Sequence, residues 1–445
     1  MTPEQMRETE ELLRFIRKSP TAYQCVDRIG ERLDEKDFIR LNEGEDWELS
    51  AGKGYYLTRN GSAVIAFHMP KKAPRAFRIA ASHSDSPTFV LKYDYESEAV
   101  GKYVRLNTER YGGTILSSWL DRPLSVAGRI VVRDGGSFST RSVVVDRDLV
   151  LIPSVAIHQN RTVNEGYKWN PAVDLLPLYG MGDAKGKLKE AVAEAAGVQT
   201  SEIVSMDLSL YCRTEGSIWG ADDAFFSAPR IDNLMCAYGT LQGFLAAEDG
   251  KDDTTVSVYA CFDNEETGSA TKQGAGSMML RDTLDRIAKY AGATLSCMLA
   301  QSFMVSADNG HARHPNHPEL SDAQNAPYMN EGVVVKVNAA QKYSTDALSA
   351  ALFCAICDRA GVKTQNFANR SDMAGGSTLG SIADTFTPML TVDVGMAQLA
   401  MHSAYETAGT ADTEYLIRAM RAFFETEFYA ESDGSIRLSP QKTKL

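Results

Sequence analysis

The chain predicts an α/β fold, a mixed central sheet flanked by helices and interrupted by a β-rich insertion. Three observations carry this. At 445 residues the sequence exceeds what one ordinary core encloses, so two domains, or one domain with a large insertion, are expected. Strand-like apolar runs alternate with helix-periodic stretches before residue 88 and after residue 226. Between them the texture changes to short β-rich runs punctuated by Gly112-Gly113 and by Asp134-Gly135-Gly136. The expected division is 1–87, 88–226 and 227–445, with the outer segments sharing one sheet.

Each element has a local reason. Thr2-Pro3-Glu4-Gln5 is a capping-box pattern with Pro at the first helical position, and Leu12, Leu13, Phe15 and Ile16 follow at helical spacing. Ser19-Pro20 restarts a second helix carrying Val26, Ile29 and Leu33. Residues 62–68 and 77–82 read as strands, the second ending at His83. Within the insertion, 126–132 and 143–152 read as strands whose edges a partner could cover. Past Ala228-Pro229 come a helix over 234–247, a strand over 255–262 and a helix over 277–290. A strand over 332–337, a helix over 345–359, a strand over 388–394 and a closing amphipathic helix over 413–428 complete the pattern. The polar tail 441–445 is the one low-complexity stretch, and there is no internal repeat.

Hydrophobic content of 44% and charged content of 23% are those of a globular protein. A net charge of −12 argues against nucleic acid or an anionic membrane as partner. No apolar run approaches the roughly 20 residues of a membrane span. The acidic, helix-like start Met1-Thr2-Pro3-Glu4-Gln5 lacks the pattern of a signal peptide. Seven cysteines, an odd number lying partly in apolar stretches, fit buried free thiols in a reducing compartment, so a cytoplasmic protein is expected.

The chemistry sits in five separated segments: Ala81-Ser82-His83-Ser84-Asp85, Arg230-Ile231-Asp232-Asn233, Asp263-Asn264-Glu265-Glu266-Thr267-Gly268, Ser306-Ala307-Asp308, and Met401-His402-Ser403. Most follow an apolar run, as expected for ligand sites beyond the carboxyl ends of strands. In the His83-x-Asp85 pair, the aspartate could orient an imidazole ligand, or both could be ordinary loop residues. Asp232 stands where a helix N-cap would stand, which needs no metal. Neighbouring Glu265 and Glu266 on extended chain point to opposite sides, so one can ligate while the other serves as base; the plain alternative is a solvated acidic turn. In His311-Ala312-Arg313-His314-Pro315-Asn316-His317-Pro318 the prolines forbid a regular helix, so the three histidines do not share one face. Together the five segments hold the inventory of a two-metal hydrolase: a bridging carboxylate, terminal ligands and one free carboxylate.

On these segments, and on Ile157-His158 and Gly375-Gly376-Ser377-Thr378-Leu379-Gly380, the chain resembles the aspartyl aminopeptidase family of co-catalytic zinc exopeptidases over nearly its whole length. Asn309-Gly310 departs from the Met-Ala that relatives tend to carry. The resemblance implies a zinc-exopeptidase-like catalytic domain with an inserted dimerisation domain. It implies two zinc ions per subunit, with cobalt or manganese possible. Asp232 would bridge them, His83 and Asp308 would complete one site, and Glu266 and His402 the other. Glu265 would be the general base and Asp85 the partner of His83. Three ligand carboxylates against two dications leave about +1, enough to hold an activated hydroxide near neutral pH. His158 would reach a neighbouring subunit's active site, Lys336 would meet an acidic substrate side chain, and His311 would line the substrate pocket. The implied activity is removal of acidic N-terminal residues from peptides, by a homo-oligomer of twelve subunits built from dimers. The rival readings are an aminopeptidase for neutral residues, an amidase or deacylase, and an inactive assembly protein.

Overall fold

The computed structural model describes residues 1–247, 254–431, 433 and 435–439; the polar tail 441–445 lies outside the described residues. A nine-stranded mixed sheet forms its centre, in the order Ile39–Arg40, Gly54–Arg59, Ala63–His68, Thr255–Phe262, Ala76–His83, Phe303–Ala307, Leu390–Gly395, Val333–Lys336, Thr364–Phe367. Its middle strands are buried on both faces, which is why they read as continuous apolar runs. In Thr255–Phe262, for example, Tyr259 and Cys261 enter one core while Val256, Val258, Ala260 and Phe262 enter the other.

The first core is closed by helices Pro3–Lys18, Ala22–Asp34, Ile231–Ala246, Ala347–Arg359 and Asp412–Glu425, and the second by Met279–Tyr290 and Leu295–Leu299. The Thr2 capping box is present, with Gln5 N–H donating to the Thr2 hydroxyl and Thr2 N–H to the Gln5 side chain. Helices Ile231–Ala246 and Asp412–Glu425 cross closely because Gly239 and Gly243 stand one turn apart on one face. A Cβ at Gly243 would come within 2.4 Å of Met420 Cβ and 2.9 Å of the Arg421 nitrogen. This contact seats the helix that begins beside Asp232.

Residues 88–212 build a separate six-stranded antiparallel sheet with its own core of Phe89, Leu106, Val126, Ile130, Leu208 and Leu210, among others. Two details differ from the sequence expectation. The run over 143–152 is not one strand. Ser137–Val144 ends where Asp146-Arg147-Asp148 begins, and Val150 and Ile152 make only isolated bridges. Arg213 pairs with both Asp146 and Asp148, holding that charged turn off the sheet. The insertion also contains a helix, Lys187–Ala196, that packs Leu188, Val192 and Ala193 into this core.

A third, five-stranded sheet was not expected. It joins Ser217–Trp219, Phe225–Ala228, Glu406–Gly409, Ala397–Leu399 and Gly310–His311. It supplies the hairpin that carries His402. No described helix is long and apolar enough to cross a membrane.

Candidate metal centre

Three neighbouring parallel strands of the central sheet, Thr255–Phe262, Ala76–His83 and Phe303–Ala307, end at the same edge. His83 closes the middle strand, Glu265 and Glu266 follow the first, and Asp308 follows the third. Asp232 enters from the first turn of helix Ile231–Ala246, and His402 from the hairpin of the small sheet. Non-glycine residues with positive φ mark these loops: Arg230 (59°), Asn264 (62°) and His402 (68°). Such conformations persist only where the surroundings hold them.

The five side chains form two halves that share Asp232. His83 Nε2 lies 3.6 Å from Asp232 Oδ1 and 3.8 Å from Asp308 Oδ1. His402 Nε2 lies 3.4 Å from Asp232 Oδ2 and 3.4 Å from Glu266 Oε2. Two ligands on one tetrahedral zinc, each about 2.0–2.1 Å away, stand roughly 3.3 Å apart, so both halves have the spacing of ligand pairs. His83 Nε2, Asp232 Oδ1 and Glu266 Oε1 are also buried without a hydrogen-bond partner. Ligand atoms of His83, Asp232 and Glu266 all fall within 4.8 Å of one another. Buried polar atoms left this way are costly unless a cation satisfies them. The residues fit a metal site.

Asp232 does not cap its helix. The helix start has no side-chain cap bond, and Asp232 itself is non-helical (φ −82°, ψ 105°). Its carboxylate faces the two imidazoles instead. Burial opposes its ionisation, but His402 and His83 hold its pKa below the ordinary aspartate value. Burial likewise opposes charge on the histidines, yet Asp232 and Glu266 push His402 up to about 10, and Asp232, Asp308 and Asp85 raise His83 well above its usual range. Burial and the charge on Asp232 raise Glu266 well above the carboxylate range. The cluster is thus poised to take up positive charge, which dications would supply in place of protons.

Asp85 sits behind the first half. His83 Nδ1 lies 3.1 Å from the Asp85 carbonyl and 3.3 Å from its carboxylate, which leaves Nε2 for a metal. The same carboxylate accepts the Glu265 and Glu266 N–H groups, tying the acidic turn to the histidine loop. Glu265 takes no part in the four histidine–carboxylate contacts above.

Glu406 carried no motif in the sequence. Fully buried, it accepts the Asp232 N–H on one oxygen (3.0 Å) and the His402 N–H on the other (2.7 Å). Gln398 donates to it as well, and Asn309 donates to Gln398 at 2.7 Å. Asn309 therefore belongs to the buried polar network beneath both halves.

Among the remaining candidates, Lys336 adjoins the cluster through Asp308. Lys336 is buried, its ammonium donating to the Asp308 carbonyl at 2.7 Å and lying 5.1 Å from the centre of the Tyr343 ring. His311 stands on the edge strand Gly310–His311 with its ring 6.2 Å from that of Phe367. His158 is exposed on the insertion beside exposed Ile157.

The model of the aminopeptidase I zinc metalloprotease family (M18) matches residues 15–424. A probable M18 family aminopeptidase 2 from Clostridium acetobutylicum is 42% identical over 426 residues, covering 93% of this chain and 98% of the relative. A chain in the cryo-EM structure of the Ape4 and Nbr1 complex superposes with a TM-score of 0.91 at 32% identity, covering 96% of this chain and 87% of that one. The S. cerevisiae mApe1 dodecamer gives a TM-score of 0.82 at 29% identity, covering 93% of this chain and 95% of its own. With the family match running from the first helix to the last, the chain belongs to the M18 zinc metalloproteases and is an aminopeptidase, a hydrolase of peptide bonds.

Proposed function

We propose that this aminopeptidase works with two zinc ions and prefers peptides with acidic N-terminal residues. The observation that supports the two-metal reading best is the orientation of Asp232, whose two carboxylate oxygens face different histidines, each beside its own further carboxylate. In this reading Asp232 would be shared by both ions, His83 and Asp308 would hold one, and His402 and Glu266 would hold the other. Bound zinc would supply Lewis-acid polarisation of the scissile carbonyl and lower the pKa of attacking water. Glu265 is left to move the proton, taking it from that water at its carboxylate and returning it to the leaving amine. Burial and the nearby charges of Asp308, Asp85 and Asp232 push Glu265 up to about 8, against the opposing pull of His83. Adjacent dications would draw it back toward neutrality, where a base is most useful.

The acidic preference rests on Lys336, a buried cation beside Asp308. A second reading, preference for neutral residues, is favoured by the engagement of that same ammonium with the Asp308 carbonyl. A panel of aminoacyl chromogenic substrates, run with zinc, cobalt or manganese restored to chelated enzyme, separates the two. On the acidic reading Lys336→Met lowers kcat/KM on aspartyl and glutamyl substrates by at least about 30-fold more than on alanyl or leucyl ones, the value of about 2 kcal/mol for a desolvated ion pair. Equal losses across the panel would assign the lysine to Asp308 alone.

We also propose a cytoplasmic homo-oligomer of twelve subunits paired through the insertion. Exposed Tyr93, Val100, Phe138, Val155, Ile157 and Val173 offer apolar surface there, and the similar mApe1 is a dodecamer. All seven cysteines are free, in keeping with a reducing compartment. If His158 completes a neighbour's site, co-assembled Glu265→Gln and His158→Ala subunits, each inactive alone, should regain part of the activity. Hybrids that stay inactive, or a dilute monomer with full activity, would return His158 to the ordinary surface.

A further inference from the structure

We infer that the insertion's segment Tyr111-Gly112-Gly113 is a positioning element that braces both halves of the metal centre in its own subunit. The inference rests on the metal assignment proposed above.

Three consecutive residues touch three different parts of the centre. The Tyr111 hydroxyl donates to Asp85 Oδ2 at 2.6 Å and accepts from the Asn264 side-chain amide at 2.9 Å. It thereby fixes the carboxylate that backs His83 and receives the Glu265 and Glu266 N–H groups. Gly112 lies against Glu266, where an added Cβ would stand 3.1 Å from Glu266 Cβ. The Gly113 carbonyl lies 3.0 Å from His402 Nδ1, which directs Nε2 at Asp232 and Glu266. A Cβ at Gly113 would sit 3.2 Å from the same Nδ1, tighter than ordinary contact. The Ile115 N–H then closes onto the His402 carbonyl at 2.9 Å.

His83 and His402 are thus oriented by equivalent means from different sources. Metal-binding imidazoles generally donate their second N–H to a carbonyl or carboxylate that sets the ring. For His83 that partner is local, two residues along the chain. For His402 it comes from the strand end following Tyr103–Tyr111, some 290 residues earlier in the sequence. The glycines supply the clearance that side chains would remove.

Two variants of the full chain test this by losing different ions. Each is chelated, and its metal affinities are measured by competition with a coloured zinc chelator. Tyr111→Phe should weaken the ion held by His83 and Asp308 by about 10–100-fold, and Gly113→Ala the ion held by His402 and Glu266 by a similar factor, the usual loss for an outer partner of a ligand. The cobalt-loaded forms should show altered visible bands, and kcat should fall with KM little changed. Unfolding of the chelated proteins should match the parent. Affinities within twofold of the parent in both variants would overturn the inference, as would losses that merely track a lowered unfolding midpoint. Asp232→Asn runs alongside: two tight ions in that variant would reject the metal assignment itself, whereas its loss of metal beside unaffected Tyr111→Phe and Gly113→Ala would reject only the brace.

Discussion

Glu265→Gln should abolish turnover while leaving both metals bound. The amide keeps the shape of the carboxylate but cannot take a proton, so the loss isolates the proton-transfer role. A positioned general base contributes about 10²–10⁴ in rate, so kcat should fall by roughly three orders of magnitude, near 4 kcal/mol. Metal content should not follow, because His83, Asp232, Asp308, Glu266 and His402 make the four contacts between a histidine Nε2 and a carboxylate without it. The measurements are metal analysis after dialysis and steady-state hydrolysis of an aminoacyl substrate. A variant that loses one equivalent of metal would make Glu265 a ligand, and near-normal activity would remove it from the reaction.

The parts of this site that were legible in the sequence are those that end apolar strands. Ala76–His83, Thr255–Phe262 and Phe303–Ala307 are buried on both faces, so each reads as an apolar run, and the polar residue beyond it stands out. Parallel pairing then brings those ends together without further information. Asp232 was ambiguous because its position relative to the helix permits capping. Only the backbone geometry after Arg230, which turns its carboxylate toward the imidazoles, separates the alternatives. Strands as short as Ala397–Leu399 and Glu406–Gly409 carry too few residues for a period-two pattern, so the sheet presenting His402 was invisible. Glu406 was hidden because its role lies in accepting two backbone N–H groups, one of them, at Asp232, 174 residues away. The helix Lys187–Ala196 has its signals in Leu188, Val192 and the glycine that ends it, but these stand inside a β-rich stretch that masks them.

Asp232→Asn should weaken both metals, whereas His83→Ala should empty chiefly one. The asparagine keeps a single oxygen acceptor and turns an amide N–H₂ toward one imidazole, so it cannot bridge. On the two-metal proposal it would also remove one negative charge shared by two dications, which repel each other at close range. Each ion should therefore bind more weakly by at least about 100-fold, beyond the 10–100-fold typical of losing only an outer partner. His83→Ala leaves Asp232 Oδ2, Glu266 and His402 in place, so one ion should remain tight while the half shared with Asp308 loses its nitrogen ligand. Metal analysis across a chelator series distinguishes the patterns: near zero retained equivalents for Asp232→Asn against about one for His83→Ala. Two tight ions in Asp232→Asn would rule out the bridge. Loss of both in His83→Ala would show that the halves fill only together, in which case Asp232 couples them and does not simply link them.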